Sequence, residues 1–179
     1  IITTAKGLSS GYIPIAASIV NDKVAAAIDS VEFNHGYTYS GHPVACAVAL
    51  ENLRIMEELN LVDYVKNDIA PYLAEKWHSL GDHPFVGETK IVGMMASLAL
   101  VPEKGSRKPF ESAPGTVGFM TRECCFGNDL IMRHVGDRMI IAPPLVITRD
   151  EVDELIARAR KSLDEAYEKV KAAGLMKSA

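Results

Sequence analysis

An α/β fold in two parts is predicted for this 179-residue chain: the C-terminal end of a larger parallel-sheet domain in residues 1–43, then a small α+β domain over residues 44–179. Three observations carry the prediction. Residues 1–43 offer two strands and one helix, too little to close a sheet of their own. A long alanine-rich helical run then begins at Pro43, of the kind that bridges two domains. Beyond it, helices alternate with short antiparallel strands, the order of an α+β layer.

The elements follow from local chemistry. Ile1, Ile2, Thr3 and Thr4 favour a strand, and residues 6–11 (Lys6, Gly7, Leu8, Ser9, Ser10, Gly11) follow as a turn, so a lysine is delivered at a strand end. Residues 13–20 form a second apolar run interrupted by Pro14, and Asp22 starts a helix through Ala25, Ala26, Ala27 and Ile28. Residues 33–43 are too polar and glycine-punctuated for a packed element and read as a loop. Val44, Ala45, Ala47, Val48, Leu50, Leu53, Ile55 and Met56 then carry the helix toward Asn60.

A second amphipathic helix is expected over residues 62–77, kinked near Pro71 and ended by Gly81 and Pro84. Residues 85–101 read as two antiparallel strands, with Gly93 permitting a bulge or close packing. Residues 104–114 mix charge, Gly, Ser and Pro and predict a long surface loop. A helix near residues 117–127 comes next. Ile131, Met132 and Arg133 form a short strand, and so do residues 139–142, around a turn at 134–138. Thr148 caps the last helix, with Glu151 completing a capping box and Val152, Leu155, Ile156, Ala159, Leu163, Ala166, Tyr167 and Val170 on the buried face.

Composition narrows the function. The chain is 48% apolar and 23% charged with a formal charge of −4, a globular composition without the basic surface that nucleic acid requires. No stretch approaches the roughly 20 apolar residues of a membrane-spanning helix, so nucleic acid and membrane are both excluded as expected partners. Cys46, Cys124 and Cys125 have no CxxC spacing and read as small apolar residues in a reducing, cytoplasmic setting. The first residue is not Met and lies inside a predicted strand, which points to further chain upstream.

A lysine held at a strand end by a Gly/Ser turn suits a Schiff-base nucleophile, because the backbone is fixed while the side chain swings. Taken alone, a lysine near a turn such as Lys6 is usually a solvated surface residue. His35, His42 and His134 stand in separate loops without metal-ligand spacing, so no metal site is expected. Ser40 lacks a nucleophile elbow, and residues 7–11 lack the Lys-Ser/Thr ending of a P-loop.

Two segments decide between these readings. Thr4-Ala5-Lys6-Gly7-Leu8-Ser9-Ser10-Gly11-Tyr12-Ile13-Pro14 is similar to the cofactor-lysine segment of class III aminotransferases, enzymes that use pyridoxal 5′-phosphate (PLP). Phe33-Asn34-His35-Gly36-Tyr37-Thr38-Tyr39-Ser40-Gly41-His42-Pro43 resembles the loop that follows it in that family. Val86-Gly87-Glu88, Leu130-Ile131-Met132-Arg133 and Ala142-Pro143-Pro144-Leu145-Val146-Ile147-Thr148 fit the family's small domain. The resemblance covers essentially the whole chain and leans toward the omega-transaminase, amine (polyamine-type):pyruvate branch, C-terminal part. One departure is local: Lys90 and Ile91 stand where many relatives have an Arg-Gly pair.

The resemblance implies a PLP-dependent transferase of fold type I. Lys6 would hold the cofactor and then move a proton as general base. Thr38 would bond the cofactor phosphate across a homodimer interface, with Gly36 allowing close backbone approach and Tyr37 lining the site, so that the active site is shared in a dimer or higher homo-oligomer. Arg133 would bind the carboxylate of a keto acid, a task suited to a guanidinium fork, whereas a surface arginine paired with Asp137 is the bland alternative. Amino-group transfer from an amine or omega-amino acid to a keto acid such as pyruvate is the implied reaction. An aminomutase or decarboxylase activity and a non-catalytic remnant domain are the rivals. The family's other cofactor contacts lie upstream of these residues, so the chain alone is expected to be inactive.

Overall fold

The computed structural model describes residues 1–106 and 108–176. The chain divides into two compact units, Ile1–Val62 and Asp63–Ala179. In the first, strand β1 (Ile2–Ala5) pairs antiparallel with β2 (Ala16–Ile19), Ala5 lying opposite Ala16. The second strand begins after Pro14, which has no N–H to give to a ladder. Helix α1 (Asp22–Ile28) starts at the expected residue, but its cap is Asn21, whose side chain accepts from the Val24 N–H at 3.1 Å. Residues 29–42 form neither helix nor strand. Helix α2 (Pro43–Glu58) has Pro43 in its first turn, where a missing N–H costs nothing.

Of residues 1–62 only Ser9, Ala45, Ala49 and Leu61 are buried, so this unit has almost no apolar core of its own. Compact packing within the chain breaks at 62/63, after α2, whereas the change of sequence pattern falls at 43/44. The difference has a physical source. Helix α2 packs back on residues 6–9, and Asn52 bonds the carbonyls of Gly7 and Leu8.

The short helix α3 (Leu61–Tyr64) spans that division and leads into a π turn, Val65–Ile69, before helix α4 (Ala70–Ser79). The irregularity thus lies just ahead of Pro71 rather than at it. A proline ring crowds the carbonyl four residues back and leaves it without a donor, and a widened turn relieves both. A 3-10 turn (Leu80–Asp82) ends the run.

Four antiparallel strands follow, in the spatial order β3-β4-β6-β5: β3 (Val86–Val92), β4 (Met95–Leu100), β5 (Arg133–Val135) and β6 (Arg138–Ile141). The β3–β4 bulge sits between Val86 and Glu88, at Gly87 and not at Gly93. A Cβ on Gly87 would come within 2.4 Å of Val101. Gly93 instead opens the two-residue hairpin turn at φ +56, the left-handed backbone such turns need.

Ala96, Leu98, Leu100, Met139 and Ile141 alternate inward from β4 and β6. On the other face Glu88 pairs with Arg138 at 2.9 Å, and Arg138 bonds Ser97 at 3.2 Å. Helix α5 (Thr116–Gly127) and helix α6 (Arg149–Ala172) pack on each other, and α4 packs on α6 and β3. The core they enclose holds Trp77, Phe85, Leu73 and Leu80, each fully buried and each contributing about 1.5–3 kcal/mol on burial. The Trp77 indole N–H meets the Ser97 carbonyl at 3.1 Å, so no donor is left unpaired.

The α6 face runs as the periodicity predicts, with Leu155 and Tyr167 half-buried against the core and the Thr148–Glu151 capping box formed. Ser162 joins that face, its hydroxyl bonded to the Arg158 carbonyl at 2.8 Å. Of the expected 104–114 loop, Arg107 lies outside the described residues; Lys104 bonds the carbonyls of Gly81, His83 and Val86, and Phe110 is buried. Cys124 and Cys125 are buried and free, and burial pushes the Cys125 thiol up to about 11. Among the described residues no helix is long and apolar enough to cross a membrane.

Candidate functional site

Lys6 directly follows β1 and opens a single 3-10 turn, Lys6–Ser9. Its backbone is left-handed at φ +52, and Ser10 after the turn is left-handed at φ +51. Each such non-glycine residue costs on the order of 1–3 kcal/mol and persists only where its surroundings hold it. Here the Ser10 N–H donates to the Gly7 carbonyl at 3.3 Å and the Tyr12 N–H to the Ser9 carbonyl at 3.1 Å. The buried Ser9 hydroxyl donates to the Ile13 carbonyl at 2.6 Å. From α2, the Asn52 Nδ2 donates to the Gly7 carbonyl at 2.9 Å and the Leu8 carbonyl at 3.2 Å. The Lys6 side chain is exposed and makes no ion pair among the described residues.

The 33–43 segment is irregular, as its composition predicts. The Tyr37 ring stands edge-on to His35 at 4.8 Å, while its N–H donates to the Ser40 hydroxyl at 3.3 Å and its carbonyl accepts from the Ser40 N–H at 2.9 Å. Thr38 sits in that turn, exposed, with no hydrogen bond to its hydroxyl among the described residues. A Cβ placed on Gly36 meets nothing within 4 Å. Among the described residues, nothing claims the space beside Gly36 or bonds the Thr38 hydroxyl.

Arg133 is the first residue of β5, opposite Ile140. The strand was expected to include Ile131 and Met132. Ile131 is instead 85% exposed while Met132 is buried, and pairing runs only from Arg133 opposite Ile140 to Val135 opposite Arg138. Only Met132 can anchor the approach to Arg133. Asp137 accepts from the Gly118 N–H at 2.9 Å, so it is engaged by α5, and Arg133 is exposed without an ion pair among the described residues. A Cβ on Gly118 would lie 2.2 Å from the Gly136 carbonyl oxygen, the close approach that lets this clasp form.

Within the first unit a cleft of about 660 Å³ is lined by Pro14, Ile15, Ala17, Tyr37, Tyr39 and His42, among others. Tyr37 therefore lines this cleft, and Lys6, Gly36 and Thr38 are not among its lining residues. A second concavity of about 470 Å³, lined by Glu88, Lys108, Phe110 and Arg138 among others, lies wholly in the second unit and includes none of the expected site residues.

An aldehyde cofactor bearing a phosphate asks for a primary amine on a firm support and for hydroxyl or backbone donors beside open space. Lys6 on its pinned turn, and Thr38 with Gly36, fit those two demands. Sequence reasoning missed Asn52. Its signal was faint: one polar residue on the 45/49/52/56 stripe of an otherwise apolar helical face.

A strand-end lysine on a strained, pinned turn and a four-stranded antiparallel layer under helices are features that a chain of the PLP-dependent transferase fold type I would present. Comparison with known proteins agrees. The family model described as class-III aminotransferase matches residues 1–163, and the chain belongs to that family. The putrescine–pyruvate aminotransferase of Pseudomonas aeruginosa is 54% identical over 162 residues, covering 90% of this chain and 35% of that protein. A chloroplastic gamma aminobutyrate transaminase of Solanum lycopersicum is 36% identical over 175 residues, covering 95% and 33%. Among solved structures, a transaminase from directed evolution by ancestral reconstruction superposes with a TM-score of 0.87 at 41% identity, covering 94% of this chain and 38% of the other. The omega transaminase of Pseudomonas jessenii in complex with PMP gives 0.84 at 36% identity, covering 94% and 38%. The chain spans about a third of the length of the curated relatives it matches.

Proposed function

We propose that the protein carrying this chain is a PLP-dependent aminotransferase that moves an amino group from an amine or omega-amino acid to a keto acid such as pyruvate. The observation that carries this reading is the Lys6 turn: a primary amine on a left-handed backbone held from two sides, in a chain of the class III family. When bound, PLP supplies an electron sink for charge at the substrate carbon.

The chain's own residues supply the rest. The Lys6 Nζ would hold the cofactor covalently and, as a free amine, would accept a proton from the amine-bearing carbon of the substrate. The Thr38 hydroxyl donates to the cofactor phosphate, Gly36 leaves the backbone open to close approach, and Tyr37 lines the site. The Thr38 hydroxyl has no hydrogen-bond partner among the described residues, which supports its serving the site of a second subunit in a homodimer. Arg133 takes the carboxylate of the keto acid, its guanidinium free of ion pairs among the described residues.

Residues 1–43 end the large cofactor-binding domain and residues 44–179 form the small one, with α2 as the bridge. The near absence of buried side chains in residues 1–62 supports this assignment. The free cysteines support a cytoplasmic setting. A relative named for putrescine and pyruvate favours a diamine donor and pyruvate as acceptor. Aminomutase, decarboxylase and remnant-domain readings draw no support from relatives named as aminotransferases and transaminases.

The test is to add PLP to the protein carrying this chain, reduce with borohydride and map the labelled peptide by mass. The label is expected on Lys6 and absent from a Lys6→Ala variant; an unchanged absorbance band in that variant would end the proposal. Arg133→Ala should raise the KM for the keto acid about tenfold or more and spare the amine. Unchanged keto-acid kinetics would remove Arg133 from the site.

A further inference from the structure

We infer that Asn52 is a positioning residue for Lys6, its carboxamide locking the turn from which the lysine projects; the inference rests on the reading of Lys6 as the cofactor lysine. Helix α2 presents Ala45, Ala49, Asn52 and Met56 at spacings of four, three and four, one face of a helix. The two alanines are buried, and their small side chains let the helix lie close to the turn. At the third position the stripe becomes polar, and there the two elements meet through hydrogen bonds.

The orientation of the Asn52 amide follows from its partners. The Gly7 and Leu8 groups it faces at 2.9 and 3.2 Å are both carbonyls, which only accept. The NH2 must point at them, and each of its hydrogens has its own acceptor. The Gly7 carbonyl thereby takes two donors, Asn52 from α2 and the Ser10 N–H within the turn.

Those carbonyls belong to the two residues directly after Lys6. Among the described residues the Leu8 carbonyl has Asn52 as its only donor, and without Asn52 only the bonds made by Ser9, Ser10 and Tyr12 would hold Lys6 and Ser10 left-handed. A lysine that must reach one atom of a cofactor and then one carbon of a substrate needs a fixed Cα, because misplacement of about 1 Å is costly to rate. Asn52 supplies that fixity from a rigid helix, and no other α2 side chain bonds the turn.

The test compares the parent protein with Asn52→Asp, which keeps the shape and cannot donate, and with Asn52→Leu, which keeps bulk without polarity and serves if the charged variant fails to fold. In cofactor-free protein, hydrogen exchange at the Ser10 amide should speed up about tenfold in both, a scale set by one neutral hydrogen bond. In the PLP-loaded protein, the pH midpoint of the cofactor's absorbance change should move, and kcat should fall about tenfold with the KM for the amine unchanged. A merely structural role would leave the midpoint in place. Borohydride labelling of the parent separates the failures. No label on Lys6 would overturn the cofactor reading and this inference with it. A labelled parent matched by both variants in pH midpoint and kcat would overturn the inference alone.

Discussion

Residues 1–62 and residues 63–176 are built on opposite principles. The first group holds Lys6, Gly36, Tyr37 and Thr38, has two left-handed non-glycine residues in one short turn, and buries four residues. The second encloses Trp77, Phe85, Leu73 and Leu80 under three helices and offers only Arg133. Candidate chemistry thus lies where the chain gives least to its own packing, and backbone hydrogen bonds from Asn52 and Ser9 do there what apolar burial does elsewhere. Strain of the Lys6 kind has to be offset by neighbours, and in this turn the neighbours are polar.

The sharpest way to break this comparison is to truncate one large side chain in each region. Trp77→Ala should destabilise the chain by about 3–5 kcal/mol, whereas Phe33→Ala, at a residue 63% exposed, should stay within about 0.5 kcal/mol. Urea unfolding of this chain measures both, and equal losses would erase the contrast. A pair of glycines gives the next effect. Gly118→Ala drives a Cβ toward the Gly136 carbonyl and should cost about 1–3 kcal/mol. Gly36→Ala meets nothing within the chain, so it should leave unfolding unchanged and, if Gly36 faces the cofactor phosphate, weaken PLP binding in a titration.

The smallest effect concerns pH and belongs to the second region alone. His83 is buried, its Nδ1 accepting from the Phe85 N–H and its Nε2 facing Asp164 Oδ1, each at 3.1 Å. Burial holds the imidazole below its ordinary pKa against the opposing pull of Asp164, with Arg160 lowering it further and Asp82 raising it. A proton on Nδ1 would confront the Phe85 N–H. The folded state therefore binds protons less readily than the unfolded one. Its stability is full above the ordinary histidine value of about 6.5 and falls as pH drops from there toward the lowered folded value. Urea midpoints should decline from neutral to mildly acid pH, and less so in His83→Gln. Identical slopes in the two proteins would exclude His83 as the source.

What the sequence disclosed follows the range of the interactions involved. Helix α6 was legible in full because its stripe and its Thr148–Glu151 box are local, three and four residues apart. The β5 strand was placed two residues early because Ile131 is as β-prone as its neighbours; the ladder itself starts only at Arg133, opposite Ile140, a register set between strands. Gly93 was read as permitting a bulge or close packing because a lone glycine in a strand does not say whether it serves a turn or a close contact, and the approach of Val101 to Gly87 depends on pairing across the sheet. Lys6, Thr38 and Arg133 were picked out by segments that resemble a family, and local chemistry alone left them ambiguous. Asn52 was missed because its only signal is one polar residue on an apolar helical stripe, and its partners are backbone carbonyls 44 and 45 residues away, which have no signature in a sequence.

The Asp137 clasp on α5 bears on how Arg133 moves. With the Gly136–Asp137 turn bonded to the Gly118 N–H and seated where no Cβ would fit, strand β5 is anchored at its far end and cannot slide in register. Any reorientation of Arg133 toward different ligands is then left to rotation about its side-chain bonds. For an exposed side chain such rotation takes picoseconds to nanoseconds, orders of magnitude quicker than a loop closing over its ligand. If Arg133 takes the keto-acid carboxylate as proposed, its response to ligands with and without a carboxylate would be a fast rotameric one, with the backbone as its fixed post.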